Sequence, residues 1–149
     1  MLSNDQVVNK LNNVLQILKD GETGYREAAE ESENSQYKTM FSEYARERAN
    51  LAGEIEQEIR RLGGDPADSG SAAAAVHRAW LNIRDRITGS DDESVIREVE
   101  RGEDAAIDTY QNVLDENLPA DVKDTLSRQY QTVKAAHDKI RDLKHALAA

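Results

Sequence analysis

Val7, Leu11, Val14, Leu18, Tyr25 and Ala29 recur at intervals of three and four, the spacing that puts side chains on one face of an α-helix. Ser3 and Gln6 ahead of them form a capping-box pattern, so a first helix is predicted over about 4 to 32. After the polar break Ser32, Asn34 and Ser35, a second stripe runs through Tyr37, Phe41, Tyr44, Leu51, Ile55, Ile59 and Leu62 and stops at Gly63-Gly64. The glycine pair is a C-terminal signal, and the second helix is predicted over about 35 to 62. Val95, Val99, Ala106, Ile107, Tyr110, Val113 and Leu114 mark a third helix over about 91 to 117, with Ser90 and Glu93 as its capping box. Pro119 opens a fourth over about 119 to 147, carrying Val122, Leu126, Tyr130, Val133, Ile140 and Leu147.

The short polar breaks make two antiparallel helical hairpins. Between them lies a crossover over about 63 to 90, far longer than the usual helix-to-helix loop of about 2 to 8 residues. Within it Val76, Trp80, Ile83 and Ile87 predict a short extra helix over about 71 to 88. Trp80 shares a face with Val76 and Ile83, so His77 and Trp80 are expected to clamp the crossover onto the bundle. Such a connection lets the chain travel the length of the bundle, so that the second and third helices run parallel. The predicted fold is all-α, one four-helix-bundle domain over residues 1 to 149.

On helical wheels four charged or titratable residues fall within the apolar arcs, one from each helix: Glu22, Arg48, Glu103 and His137. Counting at about 1.5 Å per residue from the two connecting turns brings them to one level if those turns sit at opposite ends of the bundle. Tyr25, Tyr44, Tyr110 and Tyr130 lie on the same inward stripes and are expected to bracket this layer, where their hydroxyls satisfy carboxylates or water.

Composition narrows the chemistry. The chain has 19 Lys and Arg against 29 Asp and Glu, a formal net charge of -10, and no run of basic residues to follow a phosphate backbone. Nucleic acid is therefore not an expected partner. Without cysteine, thiolate metal sites, disulfides and cysteine nucleophiles are all excluded. No apolar run approaches the roughly 20 residues that span a bilayer, and the opening residues lack a signal-peptide pattern, which makes cytoplasmic location the expectation.

The segments Asp20-Gly21-Glu22 to Tyr25, Arg101-Gly102-Glu103-Asp104-Ala105-Ala106 and Ala136-His137-Asp138 resemble an uncharacterised bacterial family of ferritin-like four-helix proteins. The resemblance extends over Arg61-Leu62-Gly63-Gly64-Asp65-Pro66 and the His77 to Trp80 region. It implies the ferritin-like fold and no particular activity. Di-iron members of the wider superfamily draw a Glu from one helix and a Glu-x-x-His pair from the next in each half. By that comparison Glu22, Glu103 and His137 resemble ligands, but Lys134 stands where the fourth-helix Glu belongs, and Glu47 is followed by Asn50 instead of His. Arg48 would bring the positive charge that a metal otherwise supplies.

The favoured reading is a non-catalytic ferritin-like protein, stress-associated by resemblance, in which a Glu/Arg/His network replaces a di-iron centre and no cofactor is required. The alternative is a non-haem metal-binding protein or oxidoreductase with a reduced site drawn from Glu22, Glu47, Glu54, Glu103 and His137, holding iron, manganese or zinc. Glu58 stands in reserve beside Glu54. A homodimer or another protein partner is expected to meet a bundle face, and a hollow iron-storing shell is a third possibility that no motif here supports.

Overall fold

The computed structural model describes residues 2–66 and 91–148; the expected crossover helix, His77, Trp80 and the Ser90 cap lie outside them. Four helices and no strand occur among the described residues: α1 (Asn4–Glu31), α2 (Ser35–Arg61), α3 (Asp92–Leu114) and α4 (Ala120–Ala148).

Local chemistry sets most helix ends. The Ser3 hydroxyl accepts from the Gln6 backbone N–H while the Gln6 side chain accepts from Ser3 N–H, a reciprocal cap that satisfies two donors at the start of α1. Asn34 caps α2 by accepting from Gln36 and Tyr37 N–H. At the start of α3 the cap is Asp91, accepting from Ser94 N–H, one residue later than the Ser90 pattern suggested. The Pro119 carbonyl accepts from Lys123 N–H, so Pro119 stands just before α4 rather than inside its first turn. The third helix also closes earlier than expected, at Leu114, with Asp115 as its C-cap.

The end of α2 is a two-glycine stop. Gly63 has φ 82°, and Gly63 and Gly64 donate to the carbonyls of Arg60 and Ile59, the paired bonds of a Schellman motif. Gly64 is close-packed as well: a Cβ there would lie 2.5 and 2.7 Å from the two Val8 methyls. Gly64→Ala is expected to cost about 1 kcal/mol through this overpacking, read as a lower midpoint of urea unfolding at unchanged slope; an unchanged midpoint would mean that Val8 turns aside freely.

Contacts between helix ends fix the topology. Asp92, in the first turn of α3, accepts from the Glu33 and Asn34 N–H groups in the α1–α2 turn at 2.8 and 3.2 Å. At the opposite end Leu2 N–H donates to the Asn117 carbonyl, Lys10 pairs with Glu116, and Arg61 pairs with Asp121. Thus α2 and α3 start at the same end and run parallel, while each hairpin is antiparallel. The first helix packs against both α2 and α3, and α4 packs chiefly against α3. α1 accordingly buries a broad face that includes Leu11, Leu15, Ile17 and Leu18.

Candidate polar centre

In the middle of the core the Arg48 side chain crosses the bundle to Glu103. Nη2 of Arg48 donates to Oε2 of Glu103 at 2.7 Å, and both side chains are 0% exposed. The pair is diagonal, joining α2 of the first hairpin to α3 of the second. Tyr25 of α1 lies under it with the guanidinium carbon 5.3 Å from its ring centroid, a cation–π arrangement inside the core. Around Tyr25 the rings of Phe41 and Tyr44 complete an aromatic cluster, at centroid distances of 5.9 and 5.3 Å.

Taking two charges out of water is costly, and only their mutual attraction and hydrogen bonding offset that cost. Glu103 holds the Arg48 guanidinium protonated against the pull of desolvation. Burial, reinforced by the Glu103 charge, pushes the Tyr25 phenol well up, so it stays a neutral hydroxyl. Glu47 is half-buried, and desolvation raises its carboxyl above the usual range despite the nearby Arg48.

Glu22 and His137 do not join this layer, contrary to the sequence expectation. The Glu22 side chain is partly exposed and pairs with Arg26 one turn along α1. His137 sits at the rim of the α3–α4 seam, its Nε2 2.7 Å from Asp104 and its Nδ1 3.1 Å from Asp138. Ala136, 2% exposed, takes the inward position beside it. The tyrosines divide in the same way. Tyr25 and Tyr44 belong to the Arg48 layer, whereas the Tyr110 hydroxyl donates to Gln129 Oε1 at 2.9 Å and the Tyr130 hydroxyl accepts from Gln111 at 3.1 Å.

Gln129 is a core residue that a search among charged side chains overlooks. It is fully buried and donates from Nε2 to the Leu51 carbonyl and to Glu54, each at 3.2 Å, thereby joining α3, α4 and α2. Its position three residues after Leu126 and four before Val133 was the available signal.

The proposed metal ligands fare as a group as follows. Glu103 is engaged by Arg48, Glu54 by Arg128 and Gln129, Glu22 by Arg26, and His137 by two aspartates. Glu47 remains near the centre, but Glu22, Glu54 and His137 are drawn elsewhere. Among the described residues no three His, Asp or Glu side chains converge to hold a metal ion. A carboxylate whose oxygen already meets a guanidinium at 2.7 Å is a poor fit for a dinuclear iron centre, which requires several bridging carboxylates and imidazoles. A polar cleft of about 290 Å³ between α2 and α4 gathers Glu54, Gln57, Glu58, Arg61, Thr125 and Arg128, and its charges are paired as Glu54–Arg128 and Glu58–Arg61.

The His137 rim carries a pH dependence. Hydrogen bonds donated by the imidazole to Asp138 and Asp104 raise its pKa against desolvation, with Lys134 and Arg141 also facing Asp138. A group whose folded pKa is raised stabilises the fold fully below its unfolded value of about 6.5 and loses that contribution as pH climbs through the folded pKa. The melting temperature is therefore expected to fall across that window in the native protein and to flatten there in His137→Gln; identical slopes would remove the assignment. Asp138 acts at the other extreme, held down to about 2 by Lys134 and His137, so its contribution is present above its unfolded pKa and lost as pH falls through about 2.

A long connection between two hairpins, parallel central elements and a polar core define a ferritin-like four-helix bundle. Residues 6–116 match the family described as Domain of unknown function (DUF2383), and the chain belongs to that family. A solved structure of a mutant of Mycobacterium smegmatis Dps1 is similar in fold, with a TM-score of 0.80 at 14% identity over 95% of this chain and 96% of that one. No curated protein matches the sequence. Among the described residues no helix is long and apolar enough to cross a membrane.

Proposed function

We propose that this protein is a non-catalytic ferritin-like bundle in which the buried Arg48–Glu103 pair does the organising that carboxylate-bound iron does in di-iron relatives of the fold. The observation that carries this reading is the 2.7 Å contact between two side chains with no exposure. Arg48 supplies the positive charge that Glu103 needs in a low-dielectric interior, and supplies it permanently, since guanidinium does not lose its proton in proteins. In this role the centre sets the register of the two hairpins instead of activating a small molecule. Stress association and a homodimeric or other protein partner on a bundle face complete the reading; the resemblance motivates the first, and the solvated, acidic outer surface leaves the second to solution mass.

Elemental analysis of protein purified without chelator, before and after anaerobic iron(II) loading, tests the proposal. No stoichiometric iron, manganese or zinc is expected in either sample. A stoichiometric metal abolished by Glu103→Gln would replace this reading with that of a reduced carboxylate metal site.

A further inference from the structure

The ion pair at the centre is only half used. One nitrogen of Arg48 meets one oxygen of Glu103, while Arg48 Nε and Nη1 and Glu103 Oε1 are buried with no partner at full hydrogen-bond geometry, although the Tyr25 hydroxyl stands close enough to Glu103 to act on its carboxylate. Oε1 shares a carbon with Oε2, and Nε and Nη1 share one with Nη2, so these atoms all lie within a few ångström of the 2.7 Å contact. Buried polar groups left in this way are costly, on the order of 1–3 kcal/mol each and more when charged. Both side chains are fully enclosed, so bulk solvent does not reach them.

The chemistry of the unused atoms restricts what fits. Guanidinium only donates hydrogen bonds, and an ionised carboxylate only accepts them. A molecule lying between them must therefore accept from Arg48 and donate to Glu103 at once. A metal cation cannot accept from N–H, and a halide cannot donate to a carboxylate. The pair already balances its own charge, so a charged guest would bring an uncompensated charge into the core. We infer that the free side of the Arg48–Glu103 pair is a binding site for a neutral, water-sized hydroxylic molecule, occupied by buried water that bridges Glu103 Oε1 to Nε or Nη1 of Arg48.

Glu47 extends the site outward. Its Oε1 is also buried and unpartnered, and the charges of both Arg48 and Glu103 act on its carboxyl. Along α2 and α4 the ion pairs keep a regular register. Arg61 pairs with Asp121 and Glu54 with Arg128, seven residues apart on each helix in opposite directions. Extended by a further seven residues, about two turns, that register would set Glu47 level with Ala135 and its neighbour Ala136, which have no side-chain donor. The methyl-sized side chains leave the acceptor for water, and the half-buried Glu47 places that water on the way from the centre to the surface.

The inference builds on the reading of the pair as a structural tie, and the experiment separates the two. A crystal structure of the full chain, at a resolution that shows ordered water and with anomalous data at the iron edge, should show a peak without anomalous signal within hydrogen-bond distance of Glu103 Oε1 and of Nε or Nη1 of Arg48. A two-bond fork between the side chains with no such peak would overturn the guest site and leave the tie standing. An anomalous peak there would overturn both. Oxygen-17 relaxation dispersion on the native protein and on a double variant, Arg48→Met with Glu103→Leu, gives a second measure. At least one long-lived internal water should be lost in the double variant, and an unchanged number would also overturn the site. The crystallographic result holds whether or not the double variant folds.

Discussion

Glu103→Leu is expected to lower the stability of the protein by about 3 to 5 kcal/mol, because it leaves a guanidinium buried with no counter-charge. For a chain of this size that is a fall in melting temperature on the order of 10 °C. Arg48→Met should cost a similar amount for the mirror-image reason. The double substitution, which removes both charges and fills the space with apolar side chains, is expected to regain most of the loss. Thermal and urea unfolding of the four proteins form a double-mutant cycle. If the two single losses simply add in the double variant, the side chains are not coupled and the centre is not a tie.

The second large effect is expected at Gln129, where substitution with Leu removes the acceptor of the Tyr110 hydroxyl and the donor to the Leu51 carbonyl. With the phenol buried and its pKa pushed up by desolvation, the hydroxyl cannot escape the cost by ionising. A loss of about 2 to 3 kcal/mol follows from stranding these buried groups. The diagnostic comparison is with Tyr110→Phe: adding Gln129→Leu to that variant should cost less than adding it to the native protein. Equal costs in the two backgrounds would show that the Tyr110–Gln129 bond carries no coupling.

Periodicity made the four helices legible, and the unusual length between the hairpins made the parallel run of α2 and α3 legible too. Glu103 could be picked out because it lies in the middle of an apolar stripe, and Arg48 because, though off centre, it still falls within the apolar arc. The wheel was less informative for Glu22. α1 packs against two helices and buries residues over a wide arc, so a residue near the edge of that arc looks inward. Its long side chain instead reaches Arg26 and keeps contact with water. For His137 the deciding contacts are with polar residues that the apolar stripe does not include. Asp104, on the neighbouring helix, and Asp138 draw the imidazole to the rim, while Ala136 fills the inward place. Gln129 was obscured for a different reason: it is neutral, so a search among charges passes over it although its spacing is that of a core residue. The level match of Glu103 and His137 was sound as height but not as direction, since His137 bonds the residue next to Glu103.

The diagonal placement of the ion pair makes the two halves of the chain chemically unlike. The first hairpin carries the cation at the centre, and the second carries the anion that accepts its hydrogen bond. Two copies of the first hairpin brought together in this register would set guanidinium against guanidinium; two copies of the second would bury a pair of carboxylates. Each like-with-like pairing is penalised, and the complementary one is not. In a fold assembled from two similar hairpins, this polarity weighs against like-with-like pairing of the halves.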